Sequence, residues 1–146
     1  MAKREELMGS ACPVARSLSV LGDVWTLMIL RDAFDGSSRF GEFQRNLGIA
    51  RNILSDRLQA LLEHGILELL PASDGSAYQE YRLTQRGLSL FPVVVSLRQW
   101  GEDHLFRKGE PHSLLLETAS GKPLKRMEPQ AKDGHVVRAG ETWVKK

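Results

Sequence analysis

"RFGEFQRNLGIARNILSDRLQALLEHGIL", Arg39 to Leu67, is the stretch on which the fold turns. Phe40, Phe43 and Leu47 recur at helical spacing, and Gly48 stops that short helix. A longer helix follows from Arg51 and is stopped by Gly65. At about 100° per residue, Ile53, Leu54, Leu58, Leu61 and Leu62 make one stripe that must face a core. Asn52, Asp56, Gln59 and Glu63 project oppositely, with Arg51 and Ser55 on one flank and Arg57 on the other.

Upstream lies "ACPVARSLSVLGDVWTLMILRDAF", residues 11–34. Pro13 suits the first position of a helix, where its missing N–H is no loss. Val14, Leu18 and Leu21 mark that helix; Gly22 ends it and Asp23 can cap the next. The helix from Val24 to Phe34 is apolar on nearly every side, so its own domain or a partner chain must cover it. Residues 1–12 are read as a loose N-terminal arm.

Downstream, "GILELLPASDGSAYQEYRLT" (65–84) predicts a hairpin: Ile66, Leu67, Leu69 and Leu70 on one strand, Tyr78, Tyr81 and Leu83 on the other. Thr84 can cap a long last helix, about Gln85 to Phe106, which Pro92 should kink. Residues 107–146 alternate short apolar runs with "SGKP" and "KDG" turns and predict one or two small hairpins.

Helix, helix, short helix, turn, longer helix, hairpin and long helix is the order of a winged helix-turn-helix. The expected class is therefore α+β and mainly helical. Its core domain spans 13–106 and a C-terminal extension spans 107–146. In such a fold the first turns of the helix from Arg51 reach base edges in the major groove. Arg can bond guanine in two places, and Asn can do so with adenine. The candidate DNA-bearing residues are Arg51, Asn52, Ser55, Asp56, Arg57 and Gln59 on that helix, with Ser38 and Arg39 suited to phosphates. The wing lacks Lys and Arg at its "PASDGSA" tip and carries Asp74 instead.

Charge distribution sharpens the picture. The 146 residues carry a net charge of +2. Residues 1–106 hold 11 Lys and Arg against 13 Asp and Glu, whereas residues 107–146 hold 9 against 5. The extension is basic and the body slightly acidic, so DNA binding by the body must rest on local geometry. The apolar runs fall short of the roughly 20 residues that span a bilayer. The absence of an export leader and a lone cysteine fit a cytoplasmic protein. No nucleophile–base motif, phosphate loop or C-x-x-C occurs. His64, His104, His112 and His135 lack metal-ligand spacing, so neither enzyme nor metal or cofactor site is expected. Trp25, Trp100 and the last helix's aromatics are core candidates that could instead line a small-molecule pocket. The other class of reading is a winged-helix module for a protein or small ligand that does not bind DNA.

Taken in order and spacing, "CPVARSLSVLGDVWTLMILRDAF", "RFGEFQRNLGIARNILSDRLQALLEHGIL", "YRLTQRG" and "PVVVSLRQWG" resemble the HxlR-type regulators, bacterial winged helix-turn-helix transcription factors related to the MarR group. The resemblance covers about Cys12 to Trp100. It implies a homodimer on double-stranded operator DNA, with the first and last helices at the dimer interface and an inducer that is a small molecule or electrophile. It also implies that Cys12, the only cysteine, senses oxidants, quinones or aldehydes, as a cysteine matching this position does in several such regulators. Independently of the resemblance, Cys12 falls at a helix N-cap, where free N–H groups and the helix dipole favour the ionised form of a thiol. The competing reading of Cys12 is a small residue packed beside the first helix.

Overall fold

A computed structural model describes residues 2–146. The helices are α1 (Ala2–Met8), α2 (Pro13–Leu21), α3 (Val24–Phe34), α4 (Phe40–Leu47), α5 (Arg51–Glu63), α6 (Gln85–Leu88) and α7 (Phe91–His104). Between α5 and α6 lies the hairpin of β1 (Leu67–Pro71) and β2 (Gln79–Leu83). The winged helix-turn-helix expected from the element order is present.

The chain divides into two compact units, one ending at Val94 and the other running from Val95 to Lys146. The division thus falls within α7 rather than at residue 107.

In the first unit, Ile29 and Leu30 of α3, Phe43 of α4, Leu54, Leu58 and Leu61 of α5, and Ile66 and Leu67 at the sheet are fully or almost fully buried in one core. The stripe read from α5 is the face that packs. Asp23 caps α3 as its position suggests, its Oδ1 accepting from the N–H groups of Trp25 at 2.7 Å and Thr26 at 3.3 Å. Gly48, at φ +62°, ends α4 in the left-handed conformation that glycine adopts without strain. The wing is antiparallel, pairing Leu67 with Leu83 through to Pro71 with Gln79. Tyr81 N–H donates to the Ser38 carbonyl at 2.7 Å, tying the wing to the loop before α4.

A rigid joint links the end of α5 to α6. The Thr84 hydroxyl donates to the carbonyl of Gly65 at 2.5 Å, Thr84 N–H donates to that of Ile66 at 3.0 Å, and the hydroxyl accepts from Gly87 N–H at 3.1 Å. A Cβ at Gly87 would stand 2.2 Å from the Ile66 carbonyl oxygen, so only glycine fits there.

Three sequence expectations change. The loose N-terminal arm contains a helix, α1. Its "AKREELM" run is rich in good helix formers, and Arg4 reaches Asp23 at 3.3 Å while Met8 Sδ accepts from the Ser19 hydroxyl at 3.8 Å. The single helix from Gln85 to Phe106 is instead α6 and α7, separated at Ser89 and Leu90. Pro92 does not kink a helix; it stands in the first turn of α7, where its missing N–H leaves no gap. The one or two small C-terminal hairpins expected reduce to single antiparallel bridges, Leu116 with Pro123 and Gln130 with Val136. Positive-φ glycines, Gly121 and Gly134, lie within the bridged turns.

In the second unit, the extension is fastened to α7 by polar contacts. Buried Gln99 donates to the Lys125 carbonyl at 3.1 Å and accepts from Met127 N–H at 2.7 Å. Arg126 bonds Glu102 at 2.9 Å and Asp103 at 2.5 Å, and these carboxylates hold its guanidinium above the ordinary arginine range.

Candidate nucleic-acid interface

Helix α5 presents its N-terminal turns to solvent. Arg51, Asn52 and Ser55 are exposed, and among the described residues none makes a side-chain hydrogen bond. Arg51 is the first helical residue, and its guanidinium lies 5.2 Å from the centroid of the Phe40 ring. That cation–π contact aims the side chain without neutralising it.

The helix terminus itself is left unsatisfied. Ala50 at the cap position has no side-chain acceptor, and the first turn holds no acidic residue. Placing Arg51 there opposes the helix dipole, at a cost of roughly 0.3–1 kcal/mol. A local rule broken without local compensation is what a binding site looks like. An arriving phosphate or electronegative base edge would supply the missing negative charge.

The other sequence candidates divide. Asp56 is exposed but accepts from Arg57 Nη1 at 2.6 Å. Gln59 is exposed and bonds Glu63 at 3.3 Å, about 12 Å along the helix from Arg51. Arg57 is turned inward: its Nε donates to Asp23 Oδ2 at 2.5 Å. Burial pushes the Asp23 carboxyl up, but hydrogen bonds from Thr26, from the N–H groups of Trp25 and Thr26, and from Arg57 outweigh it and hold Asp23 below the usual range. Arg57 thus braces α5 against the start of α3.

At the wing, Arg39 donates to Asp74 at 2.6 Å and lies 5.1 Å from the Tyr78 ring centroid. The Asp74 partner, with help from Glu80 at 3.8 Å, raises the Arg39 guanidinium above its ordinary range. Bonds from the N–H and hydroxyl of Ser76, and then from Arg39, hold Asp74 far below the usual carboxylate range. The acidic wing tip is therefore a neutralised clasp. Ser38 is occupied too, its N–H donating to Glu42 at 3.0 Å and its hydroxyl lying 3.4 Å from the same oxygen.

Phe40 and Asp23 were not singled out as site residues from the sequence, and Arg57 was expected to bear on DNA rather than to pair with Asp23. Asp23 was legible only as a cap, because its arginine partner lies 34 residues on. Cys12, the remaining candidate, is exposed and unpaired in the N-cap position of α2. Its N–H donates to the Ser10 hydroxyl at 3.0 Å, and Arg16 donates to the Ser10 carbonyl at 2.6 Å.

The three-helix core, the wing and the open first turn of α5 define a winged helix-turn-helix of the transcription-regulator class. Within it, this chain belongs to the HxlR-like helix-turn-helix family, which matches residues 20–109. It is 50% identical to the solved structure of PA1607, a candidate transcription factor, with a TM-score of 0.91 over 97% of this chain and 99% of that one. That likeness takes in the C-terminal unit, beyond the end of the family match. An uncharacterized HTH-type transcriptional regulator of Mycobacterium tuberculosis, Rv3095, is 48% identical over 106 residues, 72% of this chain and 67% of the relative. The redox regulator HypR, in its reduced form, is 32% identical with a TM-score of 0.59, covering 64% of this chain and 94% of that one. Among the described residues no single helix is long and apolar enough to cross a membrane.

Proposed function

We propose that this protein is a homodimeric, sequence-specific DNA-binding regulator that reads operator DNA with the first turns of α5. The observation that carries this reading is the unpartnered trio of Arg51, Asn52 and Ser55 at a helix N-terminus lacking any acidic residue. Arg51 and Asn52 supply base contacts, and Ser55 with the free backbone N–H groups supplies phosphate contacts. Dimerisation is supported by the exposed apolar residues Val14 and Leu18 on α2 and Val93, Leu97 and Trp100 on α7.

Selection from a random duplex pool, followed by affinity measurement across salt, tests the proposal. Affinity for the selected duplex should fall about a thousandfold between about 50 and 200 mM salt, as several phosphate contacts release counterions. Failure to enrich any duplex would favour the second reading, a winged-helix module that binds a protein or small ligand. The Arg39–Asp74 clasp is what favours that reading, because the wing tip ties up Arg39, the candidate phosphate ligand at the start of α4.

Cys12 is proposed as the sensor thiol. Its exposure and the likeness to HypR support this. An oxidant would convert the thiolate to a sulfenic acid, which a small thiol then captures as a mixed disulfide with loss of water. Oxidant treatment should shift operator affinity of the parent protein severalfold and leave the Cys12→Ser protein unmoved. An equal response in both proteins would remove Cys12 from the mechanism.

A further inference from the structure

The extension, residues 107–146, carries no core of its own. Of its described residues none is buried; His112, Leu115, Leu124, Ala131 and Val137 are half-buried and the rest are exposed. Fixing a backbone costs conformational entropy that burial must offset, so a segment this open calls for a surface outside the single chain. Its C-terminal end shows where. A 3-10 turn at Ala139–Glu141 is closed by the N–H and hydroxyl of Thr142, which donate to the Ala139 carbonyl at 3.2 and 2.8 Å. Arg138 N–H donates to the Glu141 carboxylate at 2.9 Å across the same turn. Beyond it, Trp143 and Val144 stand in solvent, each 79% exposed. The largest apolar side chain of the extension is thus held out by a closed turn and covered by nothing in its own chain.

The same unit holds an open cavity of about 370 Å³ between α7 and the start of the extension. Val95, Leu114, Leu115, Pro123 and Leu124 form its apolar wall. Its polar groups are already engaged with their neighbours. Glu102 accepts from Arg126 at 2.9 Å and lies 4.0 Å from Arg98 and 3.9 Å from His112. Arg98 donates to the carbonyl and hydroxyl of Ser113 at 3.0 Å, and Gln99 is spent on the backbone of Lys125 and Met127. With its charges paired, what the cavity leaves unmet is its apolar wall. At about 100° per residue, Val95, Gln99 and Glu102 lie on the face of α7 opposite Leu97 and Trp100. The cavity is therefore turned away from the α7 face assigned above to the dimer.

We propose that Trp143 of one copy seats in this cavity of a second copy, so that each member of the dimer gives an arm and receives one. One chain carries both the plug and the socket, and the two do not meet within it. A second copy related by a twofold axis fills both at once, which closes the contact in a pair. An indole suits the site: its ring buries against the leucines, and its N–H has the Glu102 carboxylate on the polar side as acceptor. Because the socket and the apolar face of α7 are on opposite sides, one copy can use both. A single side chain per arm reinforces a helix-to-helix dimer and does not replace it. The exchange thus rests on the dimer proposed above and is independent of the DNA reading.

The test uses the full chain in a Cys12→Ser background. One protein carries Val144→Cys, beside the plug, and another carries Leu114→Cys, at the cavity wall. Both positions are exposed, so neither substitution opens a core. Mixed, left to exchange subunits and treated with a short bis-maleimide, the two should link to each other at least about tenfold more than either links to itself. A chain carrying both cysteines should link between copies and not within itself. Sedimentation across a concentration series gives the second measurement. Trp143→Ser should raise the dimer dissociation constant at least about tenfold, and Trp143→Phe, which keeps an aromatic plug, should raise it less. Links confined to one chain would mean that the arm folds back on its own cavity and would overturn the exchange. So would a dimeric parent that gives no links, or a Trp143→Ser protein that dimerises as the parent does. A parent that sediments as a monomer at every concentration would defeat the dimer itself, and the exchange with it.

Discussion

Replacing Arg51 and Asn52 together by alanine is expected to reduce affinity for the selected duplex at least about a hundredfold. Each paired contact to a base edge is worth about 1–3 kcal/mol of discrimination, and a twofold dimer loses each contact twice. Affinity for unrelated DNA should fall much less, because only the Arg51 charge is lost from the phosphate field. Stability should hold or rise slightly. Both side chains are exposed and make no hydrogen bond within the chain, and losing the Arg51 contact with the Phe40 ring is offset by removing a cation from the positive end of a helix dipole. Gel shifts with selected and scrambled duplexes, beside a thermal melt, measure all three quantities. If discrimination survives the double substitution, α5 does not read the operator through its first turns.

A related contrast separates readers from braces. Arg57 and Arg39 carry the same charge as Arg51, yet their guanidinium groups are held by Asp23 and Asp74. The sequence alone made them equivalent, because helical geometry places side chains by angle and not by what lies across the gap. Asp23 and Arg57 are brought together by the packing of α3 on α5, and Arg39 and Asp74 by the docking of the wing. Neither pairing leaves a trace in local spacing. Legible features were those set within a few residues: the Asp23 cap, Pro13 at a helix start, the stops at Gly22, Gly48 and Gly65, and the apolar stripe of α5. The α6–α7 break shows the limit of such reading. Pro92 announced a disturbance, but two positions could host it, a kink in one helix or the start of another. The Thr84–Ile66 joint and the close approach of Gly87, both tertiary, fix α6 ahead of the break. Likewise the polar composition of residues 2–8 hid a helix whose anchor, Asp23, lies far along the chain.

The second large effect concerns the proposed dimer. Val14 is 66% exposed and Leu18 51% exposed, one turn apart on α2, while Leu97 at 53% and Trp100 at 59% stand open on α7. Full burial of a Val or Leu side chain contributes about 1.5–3 kcal/mol, and a twofold interface counts each residue twice. Leu18→Glu would place two carboxylates in an apolar contact, where each must be desolvated without a partner. The single chain should fold as before, since Leu18 contributes little to its own core. Sedimentation at about 10 µM should therefore show a monomer with a native circular dichroism spectrum. Operator affinity should fall by about 10² to 10⁴, because two reading helices joined in one molecule turn the second contact into an intramolecular one. Loss of DNA binding here has a different signature from loss at Arg51 and Asn52. The monomer keeps its base preference on an isolated half-site and loses only the gain from linkage, whereas the reading-helix variant remains a dimer and loses the preference itself. A Leu18→Glu protein that sediments as a dimer would move the interface off α2, and Leu97→Glu would then decide whether α7 alone carries it.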